Sequence, residues 1–178
     1  NHVNAYLTLA MSYSALDKHK EAVVGYKKVA QIKPSALDAS AFYMLGESYL
    51  ALDKNSDAIS AFKRALNINR AEAVGLESNT IQSFPSFEQL NQAMGVAYLK
   101  SQRLGDSIKA FKQVVTINPA NADAHYALSV AYIANGDRGA AENQRKILST
   151  LNSKMAEKAA AALAAPTVRI GCPNIACR

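Results

Sequence analysis

The side chains best able to do acid–base, nucleophilic or metal chemistry are few and scattered. His2, His19 and His125 stand in three separate parts of the chain, and Cys172 and Cys177 close it in the run GCPNIAC. An active site needs titratable groups that can converge, and these spacings gather none. The sequence holds no glycine-rich phosphate loop, no HExxH and no GxSxG. Two thiols with no histidine nearby in sequence make an incomplete zinc site. Their placement across a proline-containing turn is compatible with a small disulfide, which would fit an oxidising compartment, and equally with two free thiols. The expectation is a chain that is not an enzyme, with no catalytic residue, no cofactor, no metal and no small-molecule substrate.

The totals point to an ordered globular chain. At 178 residues, 49% apolar, with 8 glycines and 5 prolines, it is long enough to bury one core without metal or disulfide staples. The formal charge of +6 would attract acidic partners. Its bases run from Lys18 to Arg178 with acids interspersed and form no basic arm, so nucleic acid is not the partner this distribution favours. The longest purely apolar run, Ala159 to Ala165, is too short and too alanine-rich to span a bilayer. The chain opens at Asn1 rather than methionine, which suits a processed mature form or a segment of something larger. A charged fraction of 19%, with Asn, Ser, Gln and Thr carrying the remaining polarity, leans toward a secreted, periplasmic or cell-surface protein over a cytoplasmic one.

What organises the chain is a spaced pattern that recurs. Tyr6, Leu9, Ala10, Tyr13, Ala22, Tyr26, Val29 and Pro34 read aromatic, large, small, aromatic, small, aromatic, apolar, proline. The second copy is Phe42, Leu45, Gly46, Tyr49, Ala58, Phe62 and Ala65, with Arg70 in the proline slot. The third is Asn91, Met94, Gly95, Tyr98, Ser107, Phe111, Val114 and Pro119, and the fourth is His125, Leu128, Ser129, Tyr132, Ala141, Arg145, Leu148 and Ser153. The copies are offset by 36, 49 and 34 residues, so the long step holds an insertion, placed at 73–87.

Apolar residues within each copy fall at helical spacing, as with Leu45, Tyr49 and Leu52, and each copy is broken once by a polar turn, most clearly at Asn135-Gly136-Asp137. Each copy is therefore a pair of helices. Ala10, Gly46, Gly95 and Ser129 fall where the two helices cross, since only a short side chain lets the backbones approach. Tyr26, Phe62 and Phe111 fill the space between one hairpin and the next. Pro34 and Pro119 stop the second helices, and Ser86 with Gln89 forms a capping box that starts the third copy. Glu21, Asp57 and Asp106 oppose the positive end of the helix dipole. Lys27, Lys63, Lys112 and Lys146 share one slot and read as a solvated stripe.

The pattern resembles the tetratricopeptide repeat (TPR) family, whose signature W-x2-L-G-x2-Y, A-x3-F, P recurs about every 34 residues. The resemblance implies an all-α fold: a right-handed TPR superhelix, or α-solenoid, of four helix-turn-helix repeats at about 3–36, 39–72, 88–121 and 122–155. Hairpins cannot bury their apolar faces alone and must stack. The helix-favouring segment 153–164 is read as a capping helix completing a solenoid over 1–164, and 165–178 as an extended tail.

By the same resemblance the first helices line a concave groove, whose candidate slots are Leu7, Met11, Tyr43, Glu47, Leu50, Gln92, Val96, Leu99, Tyr126, Val130 and Ile133. Members that grip a C-terminal carboxylate use lysines and asparagines there. Here Leu7, Met11 and Met44 replace those donors. The groove is instead suited to an amphipathic helix or an extended apolar segment, with Tyr43 and Tyr126 as anchors. The favoured function is a protein-protein interaction scaffold. The alternative is a structural subunit that assembles with itself into a homo-oligomer or filament, by stacking ends or by placing its apolar tail in a neighbour's groove.

Overall fold

A computed structural model describes residues 2–74 and 85–165, with the backbone alone at 71–74. Most of the insertion at 73–87, nearly all of the tail at 165–178 and both cysteines therefore lie outside the described residues. Among the described residues the regular structure is helical: α1 (His2–Ala15), α2 (His19–Ile32), a 3-10 turn (Pro34–Ala36), α3 (Ala39–Ala51), α4 (Asn55–Val74), α5 (Phe87–Lys100), α6 (Leu104–Ile117), α7 (Ala122–Ala134), α8 (Arg138–Leu151) and α9 (Ser153–Ala164). The chain forms two compact units, Asn1–Ala93 and Met94–Arg178.

Helix boundaries follow local chemistry. Asp38, Asn121, Asp137 and Asn152 cap α3, α7, α8 and α9, each side chain accepting a first-turn backbone N–H. Ser86 and Gln89 form the reciprocal box, with Ser86 N–H donating to Gln89 Oε1 at 2.8 Å and Gln89 N–H to Ser86 Oγ at 3.1 Å. Helices α2 and α6 stop two residues before Pro34 and Pro119. Where Arg70 takes the proline slot nothing breaks the backbone ladder, and α4 runs on to Val74, 20 residues against 14 in α2 and α6.

The turn inside each hairpin is the same in all four copies. The N–H groups of Lys18, Lys54, Arg103 and Asp137 donate to the carbonyls of Tyr13, Tyr49, Tyr98 and Tyr132, each at 2.9 Å. The residue before each donor is left-handed: Asp17, Asp53 and Gln102 at φ 57°, 56° and 60°, and Gly136 at 83°. This six-residue closure satisfies carbonyls that a helix end leaves open, and only the fourth copy uses the residue that adopts it without strain.

In the unit Asn1–Ala93, α1 packs on α2 and α3, and α3 on α2 and α4. Gly46 on α3 crosses α4 at Phe62 so closely that a β-carbon would overlap the ring. Phe62 is fully buried, as are Tyr26 and Val29 on α2. Asn69, also buried, ties the far end of α4 to the segment before α5 by donating to the Pro85 carbonyl at 2.6 Å.

In the unit Met94–Arg178, Phe111 packs with Leu128, Tyr132, Ile133 and Ala141, joining α6 to the hairpin that follows it. Serines replace alanine or glycine at two crossings, and each buried hydroxyl meets a carbonyl of the opposite helix: Ser107 Oγ to Gly95 O at 2.9 Å and Ser129 Oγ to Ala141 O at 3.4 Å. Here α9 lies on α8 and α7, as α3 lies on α2 and α1. Counted from their caps, Ala156, Ala159 and Leu163 of α9 occupy the slots of His125, Leu128 and Tyr132, so α9 is built as the first helix of a further hairpin.

Candidate functional site

In the first unit the groove slots bring Leu7 and Met11 on α1 together with Tyr43, Glu47 and Leu50 on α3. All but Glu47 are half-buried, and Glu47 is exposed. The Tyr43 ring tilts against Phe62, centroids 5.7 Å apart, which fixes it on a rigid core residue. Apolar surroundings desolvate the Glu47 carboxyl although the residue as a whole is exposed, and its pKa is raised above the ordinary 4.5. Burial, and then the Glu47 charge, push Tyr43 up to about 12. The patch is thus an apolar surface carrying one carboxylate that binds its proton more tightly than usual.

The sign of that shift gives a stability prediction. A folded carboxyl that holds its proton more tightly than the unfolded one makes stability fall as pH rises from 4.5 through the raised value. Glu47→Gln should remove that part of the slope and leave the variant at least as stable as the parent at neutral pH. Urea midpoints measured across the acid range check it, and an unchanged slope would show that Glu47 is fully solvated.

Along α5 the candidates Gln92, Val96 and Leu99 are half-buried at helical spacing. The three on α7 are not open to a partner. Tyr126 and Val130 are 7% and 4% exposed, clustered with Ala156 and Ala159 of α9, and Ile133 is buried in the cluster against which Ala162 and Leu163 pack. Apolar character at a first-helix slot serves core as readily as groove, and α9 is the element that decides it.

His125, in an aromatic slot, is a structural residue: its Nε2 donates to the Pro119 carbonyl at 3.0 Å and its Nδ1 pairs with the Gln144 side-chain amide at 2.7 Å. Among the described residues no group of three or more His, Cys, Asp or Glu side chains gathers, and no helix is long and apolar enough to cross a membrane. The lysine stripe does more than face water. The ammonium groups of Lys27 and Lys112 stand 6.0 and 5.8 Å from the ring centres of Tyr49 and Tyr132 on the next hairpin. Their spacing beside the second-helix aromatic was visible in sequence, whereas the aromatic face beneath them was not.

A tetratricopeptide repeat model matches residues 3–35 and 39–72, and a TPR repeat model matches residues 95–136. The chain belongs to the tetratricopeptide repeat family. The hairpins, the small-residue crossings and the repeated turn are this family's repeat as the present residues build it. Among solved structures, the TPR chain is similar to MamA, at 23% identity, 88% of this chain, 82% of that one and a TM-score of 0.68. It is also similar to MamA from Desulfovibrio magneticus RS-1, at 17% identity, 85% and 76% coverage and a TM-score of 0.67. A chain of the APC/C hetero-tetramer matches with 18% identity over 92% of this chain and 30% of its own length, at a TM-score of 0.70. These likenesses show the all-α solenoid fold. No curated protein matches the TPR chain in sequence. Tetratricopeptide repeats are typically non-enzymatic, and the repeats of this chain make it a protein-protein interaction scaffold.

Proposed function

We propose that the first helices of the Asn1–Ala93 unit bind a polypeptide segment of another protein, an amphipathic helix or an extended apolar strand that places a basic residue opposite Glu47. The observation that carries this reading is the patch on α1 and α3: half-buried Leu7, Met11, Tyr43 and Leu50 around a desolvated carboxylate. Half-buried apolar side chains on packed helices form a firm surface that loses little entropy on binding, and a tyrosine held by its neighbour is a suitable anchor. A lysine or arginine brought to Glu47 would restore the stabilisation of the charged carboxyl that desolvation removes. The chain acts by holding its partner, with no chemical step.

A photo-reactive residue introduced at Tyr43 should cross-link a protein that the same residue at exposed Lys63 does not. Glu47→Lys and Met11→Glu should each abolish that adduct while the variants still unfold cooperatively in urea, which separates loss of the patch from loss of the fold. Capture should also weaken as pH falls through the raised Glu47 pKa, because the neutral acid no longer attracts the partner's cation. Equal cross-linking at both positions would refute the patch.

A further inference from the structure

The second helices of the four hairpins share one outer face. The second, sixth, ninth, tenth and thirteenth residues of α2, α4, α6 and α8 fall at helical spacing, and all twenty are exposed. The same slots are open in every copy, so their exposure is a property of the repeat. In the unit Asn1–Ala93 this face carries Lys20, Lys27 and Lys28 on α2, and Lys63 and Arg64 on α4. In the unit Met94–Arg178 it carries Lys109 and Lys112 on α6 and Lys146 on α8. None of the twenty positions holds an acid, although the whole chain has 14 acids to 20 bases. Acids on the same helices stand aside from the face: Glu21, Asp57 and Asp106 at the third residue, where the helix dipole favours them, and Glu142 at the fifth.

Two observations separate this face from an ordinary solvated surface. None of its eight bases is in an ion pair with a described carboxylate, whereas Arg103 and Arg145, which lie off the face, pair with Asp106 and Glu142 at 2.6 Å. The repulsion is left unrelieved even between Lys109 and Lys112, one turn apart on α6, where like charges destabilise a helix. A surface tuned for solubility alone would mix the two signs. Three of the bases are also held in place. The Lys27 and Lys112 ammonium groups stand over Tyr49 and Tyr132, and the Arg64 guanidinium stands 5.5 Å from the centre of the Phe42 ring. A cation already fixed on a ring loses less freedom when a carboxylate meets it.

We infer that the outer face of the second helices holds an acidic segment of another protein, an extended run of aspartates and glutamates. Charge complementarity selects this occupant, and the rest of the face excludes the other polyanions. Only Val24 and Ile147 among the twenty residues are large and apolar, so the face offers little to insert into a membrane beside its lysines. No aromatic side chain stands on it to stack a nucleic-acid base. A second copy is no better match: no helix carries more than one acid apart from α4, whose Asp57 and Glu72 lie toward opposite ends. This occupant also differs from the one proposed for the α1–α3 patch, which brings a basic residue to Glu47.

The probe is a fluorescent peptide of about ten glutamates, titrated by anisotropy into the full 178-residue chain at about 0.05 M salt, where surface charges are weakly screened. It should bind, and a glutamine peptide of the same length should not. One variant removes four charges from the face, by Lys63→Gln, Arg64→Gln, Lys109→Gln and Lys112→Gln. A second removes four exposed charges elsewhere, by Lys33→Gln, Lys54→Gln, Lys154→Gln and Lys158→Gln. The two have the same net charge, and cooperative urea unfolding of both shows that they fold. The first should bind the peptide about fivefold or more weakly than the parent, and the second within about twofold of it. A single-stranded RNA of about ten nucleotides and phosphatidylserine vesicles should bind more weakly than the peptide, with no such dependence on the face. No binding of the glutamate peptide would overturn the proposal, and so would equal losses in the two variants, because the attraction would then belong to the net charge of the whole chain. Tighter binding of the RNA or the vesicles, lost with the four face charges, would overturn it as well, since the occupant would then be nucleic acid or membrane.

Discussion

Truncating Phe62 to alanine is expected to destabilise the Asn1–Ala93 unit by about 3–5 kcal/mol, the range for deleting a buried phenylalanine ring. Phe62 is fully buried, fills the crossing of α3 and α4 against Gly46, and backs Tyr43 of the proposed binding patch. The void would be flanked by helix backbone on the α3 side, which cannot collapse into it, and this places the cost in the upper part of the range. A loss of this size is a large fraction of the ~5–15 kcal/mol that holds a domain together. It should appear as a lower urea midpoint at unchanged slope, and a loss below about 1 kcal/mol would mean that the ring does not fill the crossing.

The reverse change at the same crossing should also destabilise. Gly46→Ala gains about 1 kcal/mol of helix propensity, yet its β-carbon would overlap the outer atoms of the Phe62 ring. Phe62 is surrounded and has nowhere to move, so overpacking at about 1–3 kcal/mol is expected to win. In a Phe62→Leu background the ring's Cε1 and Cζ are absent, and the Cδ carbon that remains is a methyl that can rotate away. There Gly46→Ala should cost much less or stabilise, and the two changes should show a coupling of about 0.5–3 kcal/mol in a double-mutant cycle. A cost that is the same in both backgrounds would place the clash elsewhere. The equivalent pair Gly95 and Phe111, where a β-carbon would stand 2.8 Å from the ring, offers an independent repetition in the other unit.

Much of the hairpin architecture was legible because it is written in short-range spacing. The small residues at Ala10, Gly46, Gly95 and Ser129 mark helix crossings because a third-to-fourth-residue rhythm fixes which face of each helix they occupy. Pro34 and Pro119 mark helix ends because proline acts on its own backbone. Arg70, in the proline slot of the second copy, lacks that chemistry, and α4 runs past it to Val74. The left-handed turn was harder to read. Only Gly136 announces it, and Asp17, Asp53 and Gln102 adopt it because the closure onto the preceding tyrosine carbonyl requires it.

For the candidate sites, sequence alone determined which residues share a helix face, and tertiary structure decided which of those faces remain open. Tyr126, Val130 and Ile133 fit the groove pattern as well as Leu7, Met11 and Tyr43 do, yet α9 covers them. Lys27 and Lys112 look like solvated charges until Tyr49 and Tyr132 are brought beneath them. Leu45 and Leu128 follow the same rhythm in α3 and α7, and it is the packing of α2 and α6 against those helices that buries them. Helical periodicity is a property of neighbours a few residues apart, carried by each segment's own backbone. Burial is a property of whichever element arrives from elsewhere in the chain, and no local spacing records that arrival.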